Sequence, residues 1–375
     1  MLNFAEDFFH NRISADMTWN DVIGQDRVKD ILARAIAEGK VAHAYCLWGA
    51  EGIGKDALAA VFAEEANANV KGARCEWIYA LPTPKNPAAE GSDMQKMSDE
   101  QLKEIRDELA KKIQNPYHRI TIAGANRIKI GAIRELKRTL GLSSSAKGRR
   151  FVIITHADEM TIEAQNALLK TLEEPVAGVT IIMTTAKPDA LLPTIMSRSQ
   201  QIHCEPIDDE ILISVLNKRH CIARDEGRLI AAFAQGSYSA ALEFLDSDMK
   251  AFRESVVEIL RTSLKRIYRN DLYTKLNLSA KSKDRAQVEK FLLLLMLWLR
   301  DAMLLAKCGT SASVQIINID QKDSLESFAR NFGSKDFPQA LATIEEAISR
   351  LKRNVAPDVL LLAMFAKLRE IFVGR

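Results

Sequence analysis

The stretch LWGAEGIGKDA, Leu47–Ala57, decides how this chain is read. A phosphate-cradling loop has the form G-x-x-x-x-G-K followed by Ser or Thr, whose hydroxyl helps hold a magnesium ion. Gly49, Gly54 and Lys55 match that form, with Gly52 between them, but Asp56 stands where the hydroxyl belongs. The run HAYCLW (43–48) leads in as a strand, and a helical pattern begins at Lys55. Glycines there let backbone N–H groups turn toward phosphate oxygens, and the helix N-terminus adds partial positive charge. Lys55 is the residue expected to reach the β- and γ-phosphates. Asp56 puts a negative charge beside them. One misplaced charge at close range costs on the order of a few kcal/mol, so bound ATP or ADP is expected to be weak or absent.

Outward from the loop, residues 18–205 alternate short apolar runs with helical patterns. HAYCLW, YHRITI (117–122), RFVIIT (150–155) and VTIIMTT (179–185) read as strands, three of them almost continuously hydrophobic. Parallel strands covered on both faces have that composition. The intervening KDALAAVFAEEAN, KIGAIRELKRTLGL and EAQNALLKTLEE read as helices, which implies a parallel sheet with right-handed crossovers. Residues 80–98 are rich in Pro, Gly and polar side chains and read as a loop. SDEQLKEIRDELAKKI (98–113) follows, with Ser98 as N-cap and Gln101 at the capping-box position. This charged helix reads as an insertion on the surface of the sheet domain. Strand signals end at Pro206. The fold class expected is α/β followed by all-α: a sheet domain over 1–205 with an insertion at about 80–113, a small helical unit over 206–248 and a larger one over 249–375.

Composition narrows the function classes. The 375 residues suffice for two or three domains, and the 47% apolar and 27% charged residues are an ordinary globular mix. A net charge of +3 argues for no particular partner, so any nucleic-acid contact must come from local charge. The five cysteines form no C-x-x-C pair, which speaks against zinc and fits a reducing cytoplasm. The most apolar stretch, FLLLLMLWL (291–299), is nine residues long, against roughly 20 for a membrane span, so it reads as a core helix.

The second half of an ATPase site is an acidic pair at the end of a core strand, one acid for the metal and one for water. RFVIIT should deliver that pair, but Thr155 and His156 stand there. Asp158 and Glu159 come three positions later, and only a slip in register would bring them into play.

At this point TWNDVIGQDRVKDIL (18–32), VAHAYCLWGAEGIGK (41–55), IKIGAIRELKRTL (128–140), RRFVIITHADEMTIEAQNALLKTLEEP (149–175) and TTAKPDALLPTIMSRSQ (184–200) resemble the clamp-loader branch of the AAA+ proteins. These ordered motifs cover about half the chain. The resemblance implies a P-loop AAA+ sheet domain, a helical lid and a C-terminal collar. It places Thr155 and His156 where the metal-site acids normally stand, and Ser239 of GSYSAAL (236–242) where catalytic members carry a sensor arginine. Members commonly hold zinc through four cysteines after the first helix; only Cys75 remains here, so no metal is expected. MSRSQ (196–200) matches the family's Ser-Arg-Cys motif, with Arg198 at the arginine. In clamp loaders that arginine crosses the subunit interface to the γ-phosphate of a neighbour's ATP. The bland alternative is a solvated or salt-bridged surface arginine.

The implied role is a non-catalytic clamp-loader subunit of a bacterial replicative polymerase. Its expected partners are clamp-loader subunits of the gamma/tau and delta types, the sliding clamp through the complex, and primed DNA. Arg127, Lys129 and Arg134, at the start of RIKIGAIREL, are the DNA-contact candidates, since side-chain cations and the helix N-terminus add there. A basic helix facing solvent is the alternative. Two other functions stay open: an active motor subunit or related AAA+ ATPase with Asp56, Asp158 and Glu159 as unusual ligands, and a DNA-binding scaffold sharing only the fold.

Overall fold

In the computed structural model the described residues are 17–68, 70, 75–83, 97–141, 148–246, 249–279, 284–308, 316–353 and 355–374. Most of the proline-rich loop expected at 80–98 lies outside them. The chain divides into two units. The first runs to Leu212 and takes in Gly236–Ser239; the second comprises Ile213–Gln235 and the chain from Ala240 onward.

The first unit is built on five parallel strands: β1 (Ala44–Trp48), β2 (Cys75–Ile78), β3 (Arg150–Ile154), β4 (Val179–Thr185) and β5 (Gln200–His203). They lie in the order β2-β3-β4-β1-β5. Helices α1 (Asp26–Ala37) and α2 (Lys55–Glu65) pack on one face, where Phe62 meets Tyr45 and Phe151 edge-on at 5.2 and 5.6 Å. Helix α3 (Asp99–Gln114) precedes α4 (Ile130–Gly141). Helices α4, α5 (Ile162–Glu173) and the one-turn α6 (Pro193–Met196) cover the other face, against the alternate residues Ala44, Cys46, Val152, Ile154, Ile181 and Met183. That period of two on both faces is why β3 and β4 read as unbroken apolar runs.

Two sequence expectations change. YHRITI (117–122) is not a strand. Its backbone groups go to side chains instead: the Thr121 amide donates to Glu108, the Pro116 and His118 carbonyls accept from Lys112, and the Tyr117 carbonyl accepts from Ser239. Buried backbone groups need partners, and here helix α3 supplies what a strand ladder would have supplied. Two strands not read from the sequence complete the sheet: QQIH, with two exposed polar residues, and CEWI, interrupted by the charge of Glu76, which a buried ion pair to Arg150 at 2.5 Å neutralises. Helix α3 is also no surface decoration, because Ile105, Glu108, Leu109 and Lys112 are buried along one stripe. Its capping box at Ser98 and Gln101 is formed as read.

The second unit is helical. It carries most of α7 (Asp209–His220) and α8 (Arg224–Ala234), nearly all of α9 (Tyr238–Asp246), and α10 (Met249–Ser263), α11 (Arg269–Ser279), α12 (Arg285–Cys308), α13 (Lys322–Phe332), α14 (Phe337–Lys352) and α15 (Pro357–Phe372). Helix α12 is buried nearly all round, as its apolar run requires, and packs against α13 and α14. Phe328 is the hub of this core, with the rings of Trp298, Phe332, Phe337 and Phe372 4.6–6.2 Å away. No helix of the described residues is long and apolar enough to cross a membrane.

Candidate functional site

The loop 49–54 leaves the C-terminal end of β1, between β4 and β5, the sheet edge where parallel α/β proteins hold their ligands. Gly54 caps α2 at φ +99°, and a Cβ there would stand 2.9 Å from Cε1 of Tyr117. At Gly52, φ +74°, a Cβ would run into Ser237 Oγ. Both positions therefore require glycine, and the chain's own side chains press on the loop.

The polar groups around this loop have internal partners. Lys55 is only 8% exposed, and its ammonium donates to the carbonyls of Gly49 at 3.0 Å and Ala50 at 2.5 Å. Burial pulls its pKa below the ordinary lysine value, against the opposing pull of Asp56 and other acids. Asp56 accepts from Lys112 Nζ at 2.6 Å and from Thr184 Oγ1 at 2.7 Å. Burial pushes the Asp56 carboxyl up, but Lys112, His156 and these hydrogen bonds outweigh it and hold the group at about 2. Lys112 Nζ also donates to the carbonyls of Pro116 and His118, both at 2.8 Å, so each of its three protons has an acceptor.

The segment carrying those carbonyls is itself fixed. Glu108 accepts from Lys111, from His118 Nε2 and from the Thr121 amide at 2.8–2.9 Å. Burial would raise its carboxyl, but these partners bring it to about 2. The Tyr117 hydroxyl accepts from the Ile23 amide at 2.7 Å, and its ring stands edge-on to Tyr238 at 4.9 Å. Ser239 donates to the Tyr117 carbonyl at 2.7 Å, and its amide donates to Gly52 at 3.3 Å. Arg119 bridges Glu51 of the loop to Glu159.

The acids near β3 are likewise committed. The strand ends at Ile154; Thr155 is buried and donates to Ile78, and His156 turns the chain at φ +49°. Asp158 and Glu159 fall in a short 3-10 turn, where Asp158 accepts from Thr185 at 2.7 Å and Glu159 pairs with Arg119 at 2.8 Å. A magnesium nucleotide does not fit these residues as they stand. An ammonium lies against the carboxylate at the metal-ligand position, and the loop lysine faces its own backbone.

Arg198 lies elsewhere. It precedes β5, whose Gln200 pairs with Tyr45 near the start of β1, while the loop follows the end of β1. In a parallel sheet that puts Arg198 at the opposite edge, about 15 Å or more of strand away from the loop. Its guanidinium is half-exposed, 3.1 Å from both Glu173 and the Thr194 carbonyl. Arg127, Lys129 and Arg134 are all exposed. Arg127 and Lys129 flank buried Ile128 just before α4, with Lys129 donating to Thr83 at 2.7 Å. Sequence reasoning missed Lys112, Tyr117, Glu108 and Arg119. The available signal was the placement of Glu108 and Lys112 on the same helical stripe as Ile105 and Leu109.

The parallel sheet with a P-loop-type glycine loop and the helical half together define an α/β unit of P-loop form joined to an all-helical one. The family model described as DNA polymerase III, delta subunit matches residues 24–208. The DNA polymerase III subunit delta' of Bacillus subtilis is 22% identical over 352 residues, covering 92% of this chain and 96% of that protein. Its Escherichia coli counterpart is 30% identical over 141 residues, 38% of this chain and 42% of that one. Subunit tau of Bacillus subtilis is 28% identical over 240 residues, covering 63% of this chain. This chain spans only 38% of that tau subunit's length. A Thermotoga maritima protein described as DNA polymerase III gamma subunit-related superposes with a TM-score of 0.42 at 16% identity, over 93% of this chain and 99% of that one. The chain is thus similar to clamp-loader proteins of DNA polymerase III, delta' and tau subunits among them.

Proposed function

We propose that this chain is a clamp-loader subunit of a bacterial DNA polymerase III. In this reading it does not hydrolyse ATP at its own loop and gives Arg198 to the ATP of a neighbouring subunit. The observation that carries the reading is the position of Arg198 at the sheet edge opposite the chain's own loop. A guanidinium there serves no phosphate of its own subunit, but is half-exposed and suited to fork onto phosphate oxygens brought by another. The ion pair to Glu173 is an exposed one of small energetic weight, so exchanging it for a triphosphate costs little. The committed states of Asp56, Asp158 and Glu159 support the absence of hydrolysis.

Partners follow from the relatives: subunits of the gamma/tau and delta types, with the clamp and primed DNA reached through the assembly. Arg127, Lys129 and Arg134 would add sequence-independent, salt-sensitive contacts to the DNA backbone. Reconstitution with gamma/tau and delta subunits tests the reading. The isolated chain should show no DNA-stimulated ATPase, and Arg198→Ala should lower the ATPase of the complex by about 10³-fold or more at the site it serves. Unchanged turnover in a complex that assembles normally would refute the donation, and robust hydrolysis by the isolated chain would refute the rest.

A further inference from the structure

We propose that Lys112 is a built-in replacement for the divalent cation at this loop, so that the loop keeps its shape without metal or nucleotide. Asp56 occupies the position whose side chain would hold magnesium, and the atom found 2.6 Å from its carboxylate is Lys112 Nζ. A carboxylate and an ammonium cancel, so the site is neutral as it stands. A divalent ion approaching Asp56 would have to expel an ammonium that is 4% exposed and has three acceptors, or sit beside it as a like charge. Nor does Lys112 offer a proton to a phosphate, because all three are in use.

The replacement is held from outside the loop. Glu108, one helical turn before Lys112, fixes His118 and Thr121, which positions the carbonyls that Lys112 also binds. The same segment lays Tyr117 against Gly54 and ties Arg119 to Glu51. Helix α3 and residues 116–121 thus supply the charge, the contacts and the cover that a magnesium nucleotide supplies to a working loop. If the chain is a clamp-loader subunit as read above, its sheet unit is the member whose shape does not follow the nucleotide cycle.

The full-length isolated chain tests this without any partner, so failure here and failure of Arg198 donation are separate results. The probe is a fluorescent ATP analogue followed by anisotropy, with magnesium or with EDTA, alongside thermal melting in about 1 mM magnesium-ATP. The wild type should show no magnesium-dependent binding and no melting shift. Asp56→Thr with Lys112→Met restores the hydroxyl and removes the cation, and should bind the analogue at least about tenfold more tightly with magnesium than with EDTA. Should that variant not fold, Lys112→Gln strips Asp56 of its cation but keeps hydrogen-bonding capacity. Manganese binding, read by electron paramagnetic resonance, should then rise at least about tenfold over the wild type. Magnesium-dependent analogue binding by the wild type, or equal manganese binding by the wild type and Lys112→Gln, overturns the proposal.

Discussion

Replacing Lys112 by Met removes one charge from a pair whose side chains are 3% and 14% exposed, and leaves Asp56 with Thr184 as its remaining hydrogen-bond donor. Breaking a buried pair in this way costs about 3–5 kcal/mol, most of it the stranded charge. Removing both partners, as Asp56→Thr with Lys112→Met, should cost under about 1.5 kcal/mol, because nothing charged is left behind. The double variant's cost should therefore fall short of the summed single costs by at least about 2 kcal/mol. Acid adds a second measure of the same pair. Asp56 titrates at about 2 when folded against 3.8 as an ordinary carboxyl, so its contribution is complete above pH 4 and is lost as pH falls toward 2. That depression corresponds to about 2 kcal/mol. Glu108 contributes an acid loss of the same sign, so the difference between wild type and Lys112→Met isolates Asp56. The assay is urea unfolding in a Trp298→Phe background, which leaves Trp19, Trp48 and Trp77 to report on the first unit alone. A Lys112→Met cost below about 1 kcal/mol, with single costs that simply add in the double variant, would refute the reasoning.

Other substitutions probe the loop, the finger candidate and the helical unit. Gly54→Ala forces a side chain into φ +99° and to within 2.9 Å of Tyr117. It should destabilise the first unit by about 2 kcal/mol or more, seen as a lower urea midpoint. Arg198→Ala removes only an exposed pair and should change stability by under about 0.5 kcal/mol in the same unfolding assay. That separates any ATPase loss in the complex from a folding defect. Phe328→Ala takes out the centre of the second unit's aromatic cluster, 5.1 Å from Trp298. About 3–5 kcal/mol should be lost from the second unit, reported by Trp298 fluorescence.

The sequence was most legible where structure is local. Gly49, Gly52, Gly54 and Lys55 announced a strand–loop–helix turn because only glycine tolerates the left-handed backbone there. RFVIIT and VTIIMTT announced buried strands because strands covered on both faces need no polar alternate. YHRITI misled for the same local reason, since its aromatic and β-branched residues favour an extended chain whether or not a neighbouring strand exists. The partners that decide between strand and coil lie on α3, and the spacing within 117–122 carries no trace of them.

What the sequence alone determined was the class of fold, the degenerate loop and the absence of acids at the end of β3. Each of these follows from residue type at a fixed local spacing. Tertiary structure decided what became of the charges. Lys112 stands 56 positions from Asp56 and Thr184 stands 128 from it, so only the packing of α3 and β4 around the loop brings the ammonium, the carboxylate and the hydroxyl together. It likewise set Arg198 at the far edge of the sheet, because the direction of β5 beside β1 belongs to the topology and not to the motif.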